Sequence, residues 1–200
     1  MTAHCAFCEP KELKPRLIAE ERGFLIVASK GQIVPGYTLV IPSRHASCFG
    51  DLTEEEIADA EEVLLRIRRA CLAAYGRAPI VFEHGIAGQT VKHAHLHVVP
   101  ADTDLRERIA ADFPRRIRTA TLRTLRDVYR REGAYLYYES AAGERFVYSM
   151  LPQAQYLRIV LAAAVGRPEA ADWRNVDQQA DERIAQKTRA SMAAALRQED

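Results

Sequence analysis

Three of the six histidines in this 200-residue chain stand at every second position of 88-GQTVKHAHLHVVP-100: His93, His95 and His97. Side chains two apart on an extended strand share a face, which predicts the three imidazoles on one side and Lys92, Ala94, Leu96 and Val98 on the other. The apolar members of the second set suit a core, leaving the histidines on the working face. Neighbouring histidines are then about 6–7 Å apart at Cα. Charges that close, in a partly desolvated site, resist full protonation. A neutral imidazole is both a nucleophile and a metal ligand. A zinc site made of all three is awkward, because the outer two lie about 13 Å apart at Cα. Strict alternation after a Gly-Gln-Thr loop favours chemistry over three histidines that merely bridge a sheet to its neighbours.

A second constellation is 5-CAFC-8. Two thiolates at this spacing grip one zinc ion but need two more ligands. Thioredoxin-like redox chemistry is disfavoured, since no strand precedes the pair and no helix clearly follows it. In 82-FEHG-85, Glu83 and His84 stand at a strand end beside the loop before the histidines. They either meet a substrate, act as a general acid/base pair, or simply close the turn.

The elements that position these residues are legible in part. Runs 24-FLIVAS-29 and 38-TLVIP-42, separated by the turn-forming 30-KGQIVPG-36, predict two strands that their short connection makes antiparallel neighbours. Thr53 and Glu56 form a capping-box signature. Ile57, Ala60, Leu64, Ile67, Cys71 and Ala74 follow at helical steps up to Gly76, with Cys71 a core residue. Pro79 opens a strand over 80-IVFEH-84, and the histidine strand ends at Pro100. Strands around one long helix are an α+β pattern.

The remainder has a different texture, dividing the chain into residues 1–104 and a C-terminal extension, 105–200, that packs on or caps the first part. Ile117, Thr121, Leu125 and Val128 have helical spacing, with Gly133 as C-cap. Segments 135-YLYYES-140 and 144-ERFVYSM-150 predict a hairpin. Pro152 starts a helix through Val165. The last twenty-odd residues read as a polar helix that frays. Arg115, Arg116, Arg118, Arg123, Arg126, Arg130 and Arg131 read as a solvated helix face offset by nearby acids, with a phosphate or nucleic-acid patch as the sharper alternative.

Hydrophobic content of 48%, charged content of 28% and a net charge of +1 are those of an ordinary globular protein. Nothing global demands a nucleic acid or a membrane surface. The N-terminus carries no signal-peptide pattern, and 159-IVLAAAV-165 falls far short of the roughly 20 residues that cross a bilayer. Four cysteines without a secretion signal fit reduced thiols in a cytoplasmic protein.

The run 88-GQTVKHAHLHVVP-100 resembles the His-φ-His-φ-His-φ-φ signature of the histidine triad superfamily, φ being apolar. The segment 34-VPGYTLVIP-42 is similar to the one these proteins carry upstream of their long helix, and GQTVKH resembles the fragile-histidine-triad branch, hydrolases of dinucleoside polyphosphates. The resemblance covers roughly residues 5–100. It implies a small antiparallel sheet with a long helix, and usually a homodimer through helix and sheet edge. It implies that His95 attacks an α-phosphorus to form a nucleotidyl-histidine, that His97 supports it and binds phosphate, and that Gln89 and Thr90 contact the phosphate or the leaving group. The implied substrate is a nucleotide with a purine nucleoside monophosphate moiety. In zinc-bearing branches, including the galactose-1-phosphate uridylyltransferases, the remaining ligands match His45 and His93, implying a structural zinc site of Cys5, Cys8, His45 and His93, with His4 and Cys48 as spare ligands. Interception by another acceptor would make the enzyme a nucleotidyltransferase or phosphorylase. A zinc-stabilised nucleotide-binding protein with little turnover is a third reading. Two positions depart from the pattern: Ser29 stands where relatives usually place a ribose-binding Asn or Asp, and Tyr37 where many have histidine.

Overall fold

The computed structural model describes residues 5–86, 88–149 and 153–198. After a short helix, α1 (Pro10–Leu13), the chain forms strands β1 (Leu17–Glu21), β2 (Phe24–Ala28) and β3 (Thr38–Pro42). The long helix α2 (Glu54–Tyr75) follows, then β4 (Ile80–Glu83) and β5 (Leu96–Val99). Both arms of the Thr53–Glu56 capping box are present, and Gly76 closes α2 in the left-handed conformation. The second half adds α3 (Arg106–Asp112), β6 (Arg116–Thr119), α4 (Arg123–Glu132), β7 (Leu136–Glu139) and β8 (Arg145–Tyr148). Helices α5 (Tyr156–Ala164) and α6 (Gln178–Arg197) complete it.

All eight strands join one antiparallel sheet in the order β1-β2-β3-β5-β4-β7-β8-β6, an α+β architecture. The β4–β7 pair carries the sheet from one half of the chain into the other. It also occupies the β4 edge, so that edge is unavailable for pairing with a second copy.

Strand alternation divides the core in two. Ile26, Val40, Val81, Leu96 and Val98 face α2, where Ile57, Ala60, Val63, Leu64, Ile67 and Cys71 are buried, and α6 adds Met192, Ala195 and Leu196. Val27, Leu39, Ile41, Phe82, Val99 and Leu136 face the other way, onto Ile109 of α3 and Leu157, Val160 and Leu161 of α5. Each fully buried large aliphatic contributes about 1.5–3 kcal/mol, so both layers stabilise the sheet they share.

Several expectations change. The histidine strand starts only at Leu96, because His93 and Ala94 are drawn into a bend; the Ala94 N–H donates to the Ala46 carbonyl at 2.7 Å. Ile117 belongs to strand β6 and not to a helix, since β8 offers its edge and Ile117 pairs with Val147. Helix α5 begins at Tyr156, and Pro152, the expected start, lies outside the described residues, as does Met150 of the hairpin. The terminal helix α6 is not polar all round: Ala185, Thr188, Met192, Ala195 and Leu196 give it a buried face. Strand β1, partly buried apart from the exposed Glu20, carries no clear periodic signal.

The arginines do not form one helix face: Arg116 and Arg118 lie on β6, with Arg115 just before it, and Arg123, Arg126, Arg130 and Arg131 lie on α4. Arg123 and Arg126 pair with Glu54 at 2.6 and 3.2 Å, and Arg118 with Glu144 at 3.0 Å. Among the described residues no helix is long and apolar enough to cross a membrane.

Candidate active site and metal centre

Register places the last histidine first. On β5, His97 lies between Leu39 of β3 and Phe82 of β4, and its ring stacks on Phe82 with centroids 4.4 Å apart. The Tyr37 hydroxyl lies 2.8 Å from His97 Nδ1. No other acceptor among the described residues meets that hydroxyl, so it donates to Nδ1 and His97 carries its proton on Nε2. That Nε2 is buried without a partner. Burial first, then His95, His84 and Arg158, holds His97 well below the usual imidazole range, so it is a neutral donor.

Two residues upstream, His95 Nδ1 lies 2.6 Å from the His93 carbonyl. A carbonyl only accepts, so Nδ1 bears the proton and Nε2 keeps its lone pair. Burial pushes the His95 pKa down to about 4, against the opposing pull of that carbonyl. His95 is therefore a neutral imidazole with a fixed tautomer and an unprotonated Nε2. It lines a cleft of about 790 Å³, open mouth included, together with His84, His97, Ser29, Thr90 and Arg158.

The same logic orients His93 the opposite way. Its Nε2–H donates to the Pro42 carbonyl at 2.9 Å, leaving the Nδ1 lone pair toward Cys5 and Cys8 at 3.4 and 3.5 Å. His45 Nδ1 lies 3.3 Å from Cys8 Sγ. One ligand atom from each of Cys5, Cys8, His45 and His93 lies within 4.8 Å of all the others. Tetrahedral zinc with bonds of about 2.0–2.3 Å needs donors somewhat under 4 Å apart, so the set fits with small adjustments. Burial and the adjacent Cys5 sulfur push the Cys8 thiol up, a penalty that a bound cation relieves. Phe7, between the two cysteines, sets its ring edge-on to His93 and His95 at 5.9 and 5.2 Å. Cys48 is fully buried apart from this cluster, and His4 lies outside the described residues.

Residues 10–104 match the HIT domain family. A HIT-like protein of Mycobacterium tuberculosis is 36% identical over 101 residues, covering 48% of this chain and 70% of that protein. The chain belongs to the HIT domain family. Over a shorter span it is similar to the bis(5'-adenosyl)-triphosphatase of Dictyostelium discoideum, at 35% identity over 83 residues, 40% of this chain and 55% of that protein. Among solved structures, a zinc-bound histidine triad family protein from Mycobacterium smegmatis is similar at 29% identity and a TM-score of 0.44, covering 62% of this chain and 93% of that one.

Within this HIT protein the other expected site residues separate. Glu83 is not in the cleft. Alternation puts Phe82 on the histidine side and Glu83 on the helix side, where it accepts the Phe49 N–H at 2.9 Å and the Tyr135 hydroxyl. It closes the turn, and burial raises its pKa to about 8. His84, one residue on, does line the cleft, with its ring 5.5 Å from His97. Its Nε2 accepts the Leu157 N–H, so the α5 backbone fixes its tautomer. Gln89 donates to the Ser47 carbonyl at 2.9 Å and its Oε1 is buried without a partner, whereas Thr90 is exposed at the cleft and accepts from Trp173. Ser29 lines the cleft, but its hydroxyl donates to the Lys30 carbonyl.

The HIT match ends at residue 104, yet Gln155, Arg158 and Trp173 also line the cleft. Sequence reading missed them. The one available signal was Arg158 itself, a lone charge inside the apolar run 156-YLRIVLAAAV-165.

Proposed function

We propose that this HIT protein hydrolyses a nucleotidyl bond through a covalent intermediate on His95. The observation that carries the reading is the His95 tautomer: Nδ1–H is held by the His93 carbonyl and Nε2 is left with its lone pair in a buried cleft. Nε2 attacks the α-phosphorus, forming a P–N bond as the bond to the leaving group breaks; the leaving group keeps that electron pair and takes a proton from solvent. Water then attacks the same phosphorus, the P–N bond breaks back to Nε2, and the water's proton passes to solvent. A nucleoside monophosphate is released. The neutral His97 Nε2–H supplies a hydrogen bond to phosphate oxygens, and charge stabilisation with positioning is most of what phosphoryl transfer asks of a protein.

The names of related proteins support a dinucleoside polyphosphate as substrate class: the Dictyostelium triphosphatase above and an asymmetrical bis(5'-nucleosyl)-tetraphosphatase of Schizosaccharomyces pombe. Zinc bound by Cys5, Cys8, His45 and His93 would be structural, tying the N-terminal knuckle to the segment that carries the nucleophile.

Mass spectrometry after rapid mixing with diadenosine polyphosphates tests the mechanism. A nucleotidyl adduct on His95 in the wild type, absent from His95→Asn along with at least about a thousand-fold of the turnover, is the expected result. Turnover that survives His95→Asn rules the covalent route out. Adding alternative acceptors during turnover separates hydrolase from transferase, and tight binding without adduct or turnover would identify a binding protein.

A further inference from the structure

Arg158 is 3% exposed and lines the cleft, yet its hydrogen-bond partners are all neutral: the carbonyls of Ala171 at 3.0 Å, Gly31 at 2.9 Å and Ala170 at 3.2 Å, and the Tyr37 hydroxyl oxygen. Its guanidinium lies 5.2 Å above the ring of Tyr37, the residue that donates to His97. The other cations of the cleft wall are neutralised within the protein. Arg16 pairs with Asp181 and Glu182, and Lys30 with Glu12. No carboxylate among the described residues pairs with Arg158. A buried guanidinium without a counter-charge is costly, and an anion in the cleft removes that cost.

Gln155 gives a second, independent sign. It is 6% exposed and holds a left-handed backbone (φ 61°), which is uncommon for a residue other than glycine. That backbone is anchored where its N–H donates to the Gly88 carbonyl at 2.9 Å, directly before Gln89 and Thr90. Its Nε2 donates to Asp172, which settles the amide orientation, and the remaining Oε1 is buried without a partner at the cleft. A buried acceptor left in this state is expected to meet a donor on a ligand. The close docking of the C-terminal half is built in at Gly31 (φ 68°), where a Cβ would fall 2.6 Å from Trp173 and 2.8 Å from Arg158 Nη2.

We propose that Arg158 and Gln155 complete the nucleotide site from outside the HIT match, Arg158 pairing with a phosphate and Gln155 Oε1 accepting a hydrogen bond from a hydroxyl or amine of the nucleoside. The proposal rests on the nucleotide reading above. It makes the C-terminal half a working wall of the cleft, and it gives the nucleoside an acceptor at a place other than the Ser29 position.

Calorimetric titration of the full chain with AMP, GMP, CMP and UMP, and with the matching nucleosides, tests it. For the tightest monophosphate, Arg158→Met is expected to weaken binding at least about 30-fold while leaving the nucleoside within about threefold. Gln155→Met is expected to weaken monophosphate and nucleoside by the same factor. Should Arg158→Met fail to fold by circular dichroism, Arg158→Lys carries the test, with about a tenfold loss expected for the monophosphate alone. Unchanged monophosphate binding in the folded Arg158 variant overturns its role, and unchanged nucleoside binding in Gln155→Met overturns that of Gln155. If the wild type binds none of the four monophosphates, thermal stabilisation by inorganic phosphate decides. Stabilisation lost in the Arg158 variant sinks the nucleotide reading but keeps the anion site, and no stabilisation sinks both.

Discussion

His95 donates its Nδ1–H to the backbone carbonyl of His93 at 2.6 Å, while the His93 ring turns its own Nδ1 to Cys5 and Cys8. The proposed nucleophile and the proposed zinc ligand thus share one short segment. Whatever fixes the His93 ring also fixes the carbonyl that sets the His95 tautomer.

That link predicts the effect of the cysteines. Wild-type protein purified reduced and without chelator should carry about one equivalent of zinc, and Cys5→Ser with Cys8→Ser less than about a tenth. The double variant should also melt lower, because metal bound only by the folded state adds to its stability. Elemental analysis with thermal melts measures both. Equal, negligible zinc in the two proteins would refute the metal site.

The Tyr37 hydroxyl reaches His97 Nδ1 at 2.8 Å. Tyr37→Phe removes that donor and leaves His97 Nδ1 buried and unpaired. A stability loss of about 1–3 kcal/mol by urea denaturation is expected. Turnover should fall more than KM changes, because the His97 ring loses its fixed tautomer. Unaltered stability and turnover would mean that the hydroxyl contact orders nothing.

His84 predicts an acid limb of stability. Its folded pKa is pushed down to about 3, first by burial and then by His95 and Arg158, against an ordinary value of 6.5. Between these values the unfolded chain binds a proton that the folded chain does not. The stability due to neutral His84 is therefore complete above 6.5 and is lost as pH falls toward 3. One such group contributes a slope of up to about 1.4 kcal/mol per pH unit. Urea midpoints between pH 4 and 7 should show a shallower slope for His84→Gln, whose side-chain oxygen can still accept the Leu157 N–H.

The continuous sheet predicts that the halves do not separate. A chain cut after residue 104 loses the β7 partner of β4 and exposes Val81, Phe82 and their neighbours. It should show no cooperative thermal transition and should aggregate on size-exclusion chromatography. A monomeric fragment with a sharp transition would contradict this.

Some of this was legible in the sequence for local reasons. The capping box, the apolar stripe of α2 and strands β2 and β3 are written in spacings of two to four residues. The histidine alternation, with the resemblance it carries, singled out the four-residue Cys/His cluster that the structure assembles. Other features were not local. Ile117 has helical spacing with Thr121, Leu125 and Val128, but the β8 edge claims it for β6. The last helix looks polar until α2 and β1 provide a surface for its small apolar face.

By itself the sequence determined which thiols and imidazoles are candidates for chemistry, because these are properties of residue type and short spacing. Only the tertiary structure decided how those groups are protonated and who faces them. The His93 carbonyl, the Tyr37 hydroxyl and the Pro42 carbonyl set three tautomers. Arg158 and Gln155 reach the cleft from over fifty residues downstream of His95. Tautomers and burial depend on partners brought together by folding, and no spacing along the chain encodes a contact made across the sheet.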